Sequence, residues 1–391
     1  MVMELSLLLV SGIFAAIFVG FNIGGSSTGV AWGPAVGAGL IKKTTAAAIM
    51  TVFVFLGGWT VGRNVMNTLA DDIITTEISL QAGVAILTFI GIGILLANIY
   101  GVPVPTSMVT VGAIGGLGLA TGTLRWDTIG WIVTWWVLTP IIGFWVGAII
   151  GRYAYPYLDR RFHVASTDGP ILILDRTRAG IRPRVHPSTT RQEFLGTLIV
   201  LIVACYMAFS AGASNVPNAV APLVSDGAIE ANPGILIGTL AIGVGGFTIA
   251  RRTMESVGTE LSDISLLAAV IVMLTASTIT TFLSYIGIPI SLVMGTVMTI
   301  VGLGWGRATR PIAGRDVLAG EVDAETPIGA ITKETPAEIR PIGEAEPQEI
   351  LEATELFDPR AVAKFVSMWV IGPSLALALS FGFFSLLLLL W

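Results

Sequence analysis

Gly24-Gly25-Ser26-Ser27 recurs 188 positions downstream as Gly212-Ala213-Ser214-Asn215, and the match does not stand alone. At the same offset Pro34 falls on Pro222, Gly57-Gly58-Trp59-Thr60 on Gly245-Gly246-Phe247-Thr248, Arg63 on Arg251 and Met66 on Met254. Further along, Gly101-Val102-Pro103-Val104 returns as Gly287-Ile288-Pro289-Ile290, and Trp136-Val137-Leu138-Thr139-Pro140 as Trp369-Val370-Ile371-Gly372-Pro373. Four ordered matches running through both halves point to an internal duplication rather than to coincidence among apolar runs.

The runs between these markers identify the solvent. Of the 391 residues 54% are hydrophobic and 12% charged, where a soluble domain carries about 25% charged residues. No charged residue occurs in 5–41, 44–62, 78–124, 128–151, 194–225, 231–250, 264–306 or 365–391. A helix needs roughly 20 apolar residues to cross a bilayer. Barrel strands alternate polar and apolar residues, and these runs do not. The expected class is an all-α polytopic membrane protein. The single cysteine, Cys205, lies inside an apolar run, and the two histidines, His163 and His186, share one polar loop. No metal site is expected from that set. Only Glu4 precedes the first apolar run, which also outruns a signal-peptide core, so it reads as a retained helix.

Each half offers five crossings. In the first they are 5–23, 44–62, two helices within 78–124 that turn at Gly101–Pro105, and 128–151. The Gly/Ser/Thr-rich stretch 24–41, with Pro34 inside it, makes a poor full-length helix and reads as a broken or re-entrant hairpin. An odd number of crossings predicts two inverted repeats. The divisions are 1–151 for the first repeat, 152–193 for a basic loop, 194–306 for the first part of the second repeat, 307–360 for an acidic loop expected to be flexible, and 361–391 for the last helix. Lys42-Lys43, the arginines of 152–193 and Arg251-Arg252 then fall on one side, which the positive-inside rule assigns to the cytoplasm, leaving both termini outside.

Inverted repeats with broken helices are a transporter architecture, in which half-helix N-termini point at an anion near the midplane. The polar content of the apolar runs is where a site would be. Ser26, Ser27 and Thr28 in one half, and Ser214, Asn215 and Asn218 in the other, combine hydroxyl and amide donors with glycines that admit a ligand to the backbone. Thr106 and Ser107 after Pro105, and Ser291 after Pro289, sit where helices start and where orphan amides bind anions. These nine are the expected substrate-binding residues. Arg252 and Glu255, three apart, are candidates for coupling or gating. For each hydroxyl segment taken singly the alternative is close packing of small residues between helices.

At these residues the sequence resembles the inorganic phosphate transporter (PiT) family of anion permeases. That family carries a Gly-x-Asn-Asp-Val-Ala-Asn-Ala signature once in each inverted half. Gly212-Ala213-Ser214-Asn215-Val216-Pro217-Asn218-Ala219 is similar to it, and Gly24 to Ala31 is a worn first copy. A Pro-Val-Ser-Thr-Ser-His element resembles Pro103-Val104-Pro105-Thr106-Ser107-Met108, with Pro289 to Met294 as its second copy. An Arg-x-x-Glu-Thr-Val-Gly element resembles Arg252 to Gly258. The departures are specific. The signature aspartate is replaced by Ser27 and Asn215, its preceding asparagine by Ser26 and Ser214, and the histidine by Met108 and Met294. In relatives, the resemblance implies, those carboxylates help to hold the coupling cation.

The resemblance implies a permease for inorganic phosphate working by alternating access, with Na⁺ or H⁺ as coupling ion and no other cofactor. Sulfate or another tetrahedral oxyanion, with H⁺ or without Na⁺ coupling, is the alternative. A non-transporting sensor or scaffold built on the transporter fold is a second. Expected partners are the oxyanion and membrane lipid, not nucleic acid, and a homodimer is compatible with the reading. An enzyme is not expected, because no apolar run holds an Asp, Glu, His or Lys to act as acid or base.

Overall fold

The computed structural model describes residues 2–25, 29–99, 104–159, 172–177, 180–185, 190–225, 227–248, 265–309 and 359–390. The first half holds α1 (Val2–Gly25), a 3₁₀ turn (Gly29–Trp32), α2 (Gly33–Gly37), α3 (Lys43–Trp59), α4 (Gly62–Asn67), α5 (Leu80–Ile99), α6 (Thr106–Thr121), α7 (Trp126–Ile149) and α8 (Tyr155–Asp159). The second holds α9 (Arg191–Val224), α10 (Ala231–Thr248), α11 (Leu266–Tyr285), α12 (Leu292–Ala308) and α13 (Pro359–Leu390). Between the halves, strands β1 (Leu172–Thr177) and β2 (Gly180–Val185) pair antiparallel with Leu172 opposite Val185, a small addition to an otherwise helical chain.

Among the described residues seven helices are long and apolar enough to cross a membrane. The bent pair Lys43–Trp59 and Gly62–Asp72, which turns by 60°, would make an eighth. Two more apolar helices, α6 and α12, are shorter. Large apolar side chains such as Trp131, Val137 and Trp145 on α7 and Leu386 to Leu390 on α13 face outward, as a lipid-facing surface requires. At the α3–α4 bend the Arg63 guanidinium takes up a freed carbonyl, with Nε donating to Trp59 O at 2.7 Å and Nη2 to Asn232 Oδ1 at 2.6 Å.

Within 24–41 the described residues hold the end of α1 at Gly25, the 3₁₀ turn and the five-residue α2, so this stretch is not one continuous helix. Its second-half counterpart differs. There α9 runs unbroken from Arg191 to Val224 through Pro217 and Pro222, so no hairpin forms. Intrinsic propensity does not separate the two stretches: Ala213 and Ala221 in place of Gly25 and Gly33 favour the helix by about 1 kcal/mol each, but Pro217 in place of Gly29 costs about 2 kcal/mol, and α9 stays helical where it packs against α3, α10 and α11. The start of α9 is also fixed by a capping box: Glu193 N donates to Thr190 Oγ1 at 3.2 Å, and Thr190 N to Glu193 Oε2 at 2.8 Å. Residues 26–28, 101–103, 251–255 and 310–358, on which several sequence expectations fall, lie outside the described residues.

The helices of one half pack chiefly on those of the other, and they do so in matched exchange. Helix α1 lies on α10 while α9 lies on α3; α6 lies on α13 while α12 lies on α7. The contacts repeat at residue level. A Cβ on Gly24 would fall on the Ile242 carbonyl, and one on Gly212 would fall on the carbonyl of Val54, its repeat equivalent. Gly57 approaches Phe209 O as Gly245 approaches Phe21 O. With no hydrophobic drive between helices in lipid, such backbone-to-backbone approach supplies the packing attraction. Gly57→Ala should therefore lower unfolding stability in detergent by about 1–3 kcal/mol. Gly130→Ala, at a helical position with open space, should be neutral or stabilising by up to about 1 kcal/mol. Thermal melts of the two variants in one detergent check the contrast.

Candidate functional site

Helices α6 and α12 have 16 and 17 residues, which makes them roughly 24–26 Å long, short of the ~30 Å apolar thickness of a bilayer. Both begin inside the protein. Pro105 stands at the start of α6 in extended conformation and has no side chain to cap with. Ser291 stands at the start of α12, and its hydroxyl makes no capping bond. The first residues of each are buried: Thr106 is 1% exposed, Ser107 0%, Ser291 3% and Leu292 2%. A helix start leaves orphan N–H groups and a positive dipole end. Here two such ends are enclosed without side-chain caps.

They also meet. Ser107 Oγ donates to Ile290 O at 3.0 Å, which ties the start of α6 to the residue just before the start of α12. The next chain segment is held too, since Trp136 Nε1 donates to Pro289 O at 2.9 Å. Helix α9 closes the third side with Asn215 and Asn218. Thr106 Oγ1 donates to Asn215 Oδ1 at 2.7 Å. Asn218 Nδ2 donates to Ser107 Oγ at 3.0 Å, to Thr106 Oγ1 at 3.3 Å and to Ser214 O at 3.0 Å.

Proton accounting assigns the Asn218 amide. Ser214 O can only accept, so the atom facing it is Nδ2. Ser107 and Thr106 have given their protons to Ile290 O and Asn215 Oδ1, so both accept from Asn218. That leaves Asn218 Oδ1, fully buried, as an acceptor with no donor. A buried acceptor left unpaired costs about 1–3 kcal/mol. The site is neutral: its described residues carry hydroxyls and amides, and no cluster of three His, Cys, Asp or Glu occurs among the described residues.

Of the nine expected substrate-binding residues, Thr106, Ser107, Ser214, Asn215, Asn218 and Ser291 are buried within this region. Five of them share the hydrogen-bond network. Ser291 makes no bond in it but heads α12 beside Ile290. Ser26, Ser27 and Thr28, together with Arg252 and Glu255, lie outside the described residues. One partly buried pair escaped the sequence reading. Asn98 Nδ2 donates to Asn22 O at 3.0 Å and to Asn22 Oδ1 at 3.3 Å, joining α5 to α1. The available signal was two carboxamides inside charge-free apolar runs, at Asn22 and Asn98.

The family model described as the phosphate transporter family matches residues 23–380. The chain belongs to the phosphate transporter family. It is 30% identical over 299 residues to the sulfate permease CysP of Bacillus subtilis, covering 76% of this chain and 77% of that one. It is 24% identical over 371 residues to a Pyrococcus horikoshii protein named "Putative phosphate permease", covering 77% of this chain and 90% of that one. A solved structure titled "The sodium-dependent phosphate transporter" shares its fold, with a TM-score of 0.68 and 19% identity across 98% of this chain and the whole of the other.

In this family member Thr106 both donates to Asn215 and accepts from Asn218. Thr106→Val, which keeps the shape and removes the hydroxyl, should lower unfolding stability by about 1–3 kcal/mol. The exposed Ser11→Ala should change it by less than about 0.5 kcal/mol. Thermal unfolding of the purified variants measures both.

Proposed function

We propose that this chain is a secondary transporter that carries inorganic phosphate across the membrane by alternating access. The observation that supports this most directly is the meeting of two enclosed, uncapped helix starts, α6 and α12, against the amides of α9. Orphan N–H groups and two positive dipole ends suit an oxyanion, and hydroxyls can turn their protons toward it once it displaces their present partners. The family and the names of several relatives agree with phosphate. The matched exchange of helices fits two repeats related by a two-fold axis, read as inverted, and the positive-inside rule applied to the basic loops puts those loops in the cytoplasm and both termini outside in this reading.

The unpartnered Asn218 Oδ1 favours phosphate over sulfate. At neutral pH phosphate carries at least one P–OH that can donate to this acceptor, whereas sulfate has none. Leaving the acceptor unpaired beside sulfate costs about 1–3 kcal/mol, roughly 5- to 150-fold in affinity. Sulfate is the second reading. It is favoured by the likeness to a sulfate permease at higher identity than to the phosphate permeases quoted, and by Ser27 and Asn215 standing where the PiT signature has aspartate. Without those carboxylates Na⁺ has fewer charged ligands, so coupling to H⁺ or to no Na⁺ goes with either substrate.

Proteoliposomes carrying the purified chain should take up labelled phosphate saturably and prefer it to sulfate by at least about fivefold. The same assay, run with and without Na⁺ and pH gradients, reads the coupling ion. Preference for sulfate would move the assignment to the second reading, and uptake of neither anion under any gradient would sink both. Ser214→Leu and Asn215→Leu should each abolish uptake while the protein still inserts.

A further inference from the structure

One polar face in the membrane region has no part in the network above. Helix α11 carries Ser277, Thr280, Thr281 and Ser284 at helical spacing on one side, over about 10 Å of helix. Ser277, Thr280 and Ser284 are fully buried, and all four hydroxyls lack a hydrogen-bond partner.

Thr139, Thr197 and Thr239 also lack a partner, but each does so alone on its helix, whereas α11 carries four such hydroxyls on one face. In an apolar helix a Ser or Thr ordinarily donates to the carbonyl four residues back. Thr51, Thr88, Thr134, Thr296 and Thr299 do so. So does Thr278 of the same helix, on its exposed side, donating to Leu274 O at 2.8 Å. The four hydroxyls of the buried face do not.

The face is turned toward the helix that carries the site. Ser210 Oγ on α9 donates to Ser277 O at 3.1 Å, one turn before Ser214. At its other end the chain leaves α11 after Tyr285 and reaches Ile290, the acceptor of Ser107, five residues later. Packing of the fold does not demand hydroxyls here. The repeat-equivalent residues 186 positions earlier, on α5, are Gly91, Ile94, Leu95 and Asn98, so three of the four positions are filled without a polar side chain.

We propose that the Ser277–Thr280–Thr281–Ser284 face of α11 is the wall of a narrow polar passage by which the hydrated oxyanion reaches the site between α6, α9 and α12, closed in the conformation described. Bound water or the anion itself supplies the partners that the hydroxyls lack. The passage belongs to one half only, since its counterpart on α5 is largely apolar. The proposal rests on the permease reading for its anion. Water access does not depend on that reading and is measured separately.

The test uses the full chain in membranes with Cys205→Ala, which removes the only native thiol. Ser277→Cys, Thr280→Cys and Ser284→Cys are each treated with the anionic thiol reagent 2-sulfonatoethyl methanethiosulfonate. Ile94→Cys, equally buried on α5, is the control. The three α11 thiols should react at least tenfold faster than the control, and inorganic phosphate should slow them severalfold. Rates equal to that of Ile94→Cys would overturn the passage. Fast reaction that neither phosphate nor sulfate slows would overturn its use by the anion. Protection by sulfate alone keeps the passage and removes the phosphate assignment. Thr280→Val tests the same point without a thiol. It removes an unpartnered hydroxyl, so it should raise thermal stability while cutting the uptake rate at least threefold. Uptake at the wild-type rate would overturn the passage.

Discussion

A backbone N–H in lipid must find a partner inside the protein, because no water is there to supply one. A helix that spans the membrane meets this demand everywhere except at its ends, which lie in the headgroup region. Helices α6 and α12 are shorter than the apolar thickness of a bilayer and begin at buried residues, so each brings one end with its orphan amides into the interior. The site follows from that. Its polarity resides in the backbone, and the side chains of Thr106, Ser107, Asn215 and Asn218 order a field that two helix ends supply.

Holding two helix ends together at depth requires neighbours that do not give. The exchange of helices between halves provides them, and glycine sets how close it is. Gly24, Gly57, Gly212 and Gly245 let backbones touch where any side chain would collide with a carbonyl. Because these contacts come in repeat-matched pairs, each half is braced by the other, and a relative rotation of the halves would have to slide along them. Alternating access, in the reading proposed, is a movement along those surfaces rather than a rearrangement of the site residues themselves.

Charge is what separates this chain from the signature it resembles. Ser27 and Asn215 stand where the PiT signature has aspartate, so the two copies of the signature here carry two fewer carboxylates. A neutral pocket repels an oxyanion less and offers a cation less. In the reading proposed, selectivity then comes from the direction of hydrogen bonds, and the unfilled acceptor on Asn218 has one. Hydrogen-bond matching discriminates between tetrahedral anions of nearly equal size because it registers their protons, which charge alone does not.

Sequence by itself determined the membrane class, the duplication, the approximate limits of most helices and the residue types of the site. The physical reason is that charge-free runs of roughly 20 residues have few soluble alternatives, and that repeats align without reference to space. It also placed Thr106, Ser107, Ser214, Asn215, Asn218 and Ser291 among the candidates, because hydroxyls and amides in apolar runs are conspicuous. It misjudged the second hairpin, which the repeat carried over from 24–41, whereas α9 stays helical through Pro217 and Pro222. Tertiary structure alone decided that a motif of one half bonds to the signature of the other. Thr106 and Asn215 are 109 positions apart, and nothing local in either segment specifies the partner. Which donors are spent and which acceptor is left, and which face of α11 goes unpartnered, depend on distances between helices brought together by packing. Those distances are set by glycine contacts across the whole fold, and no window of sequence contains them.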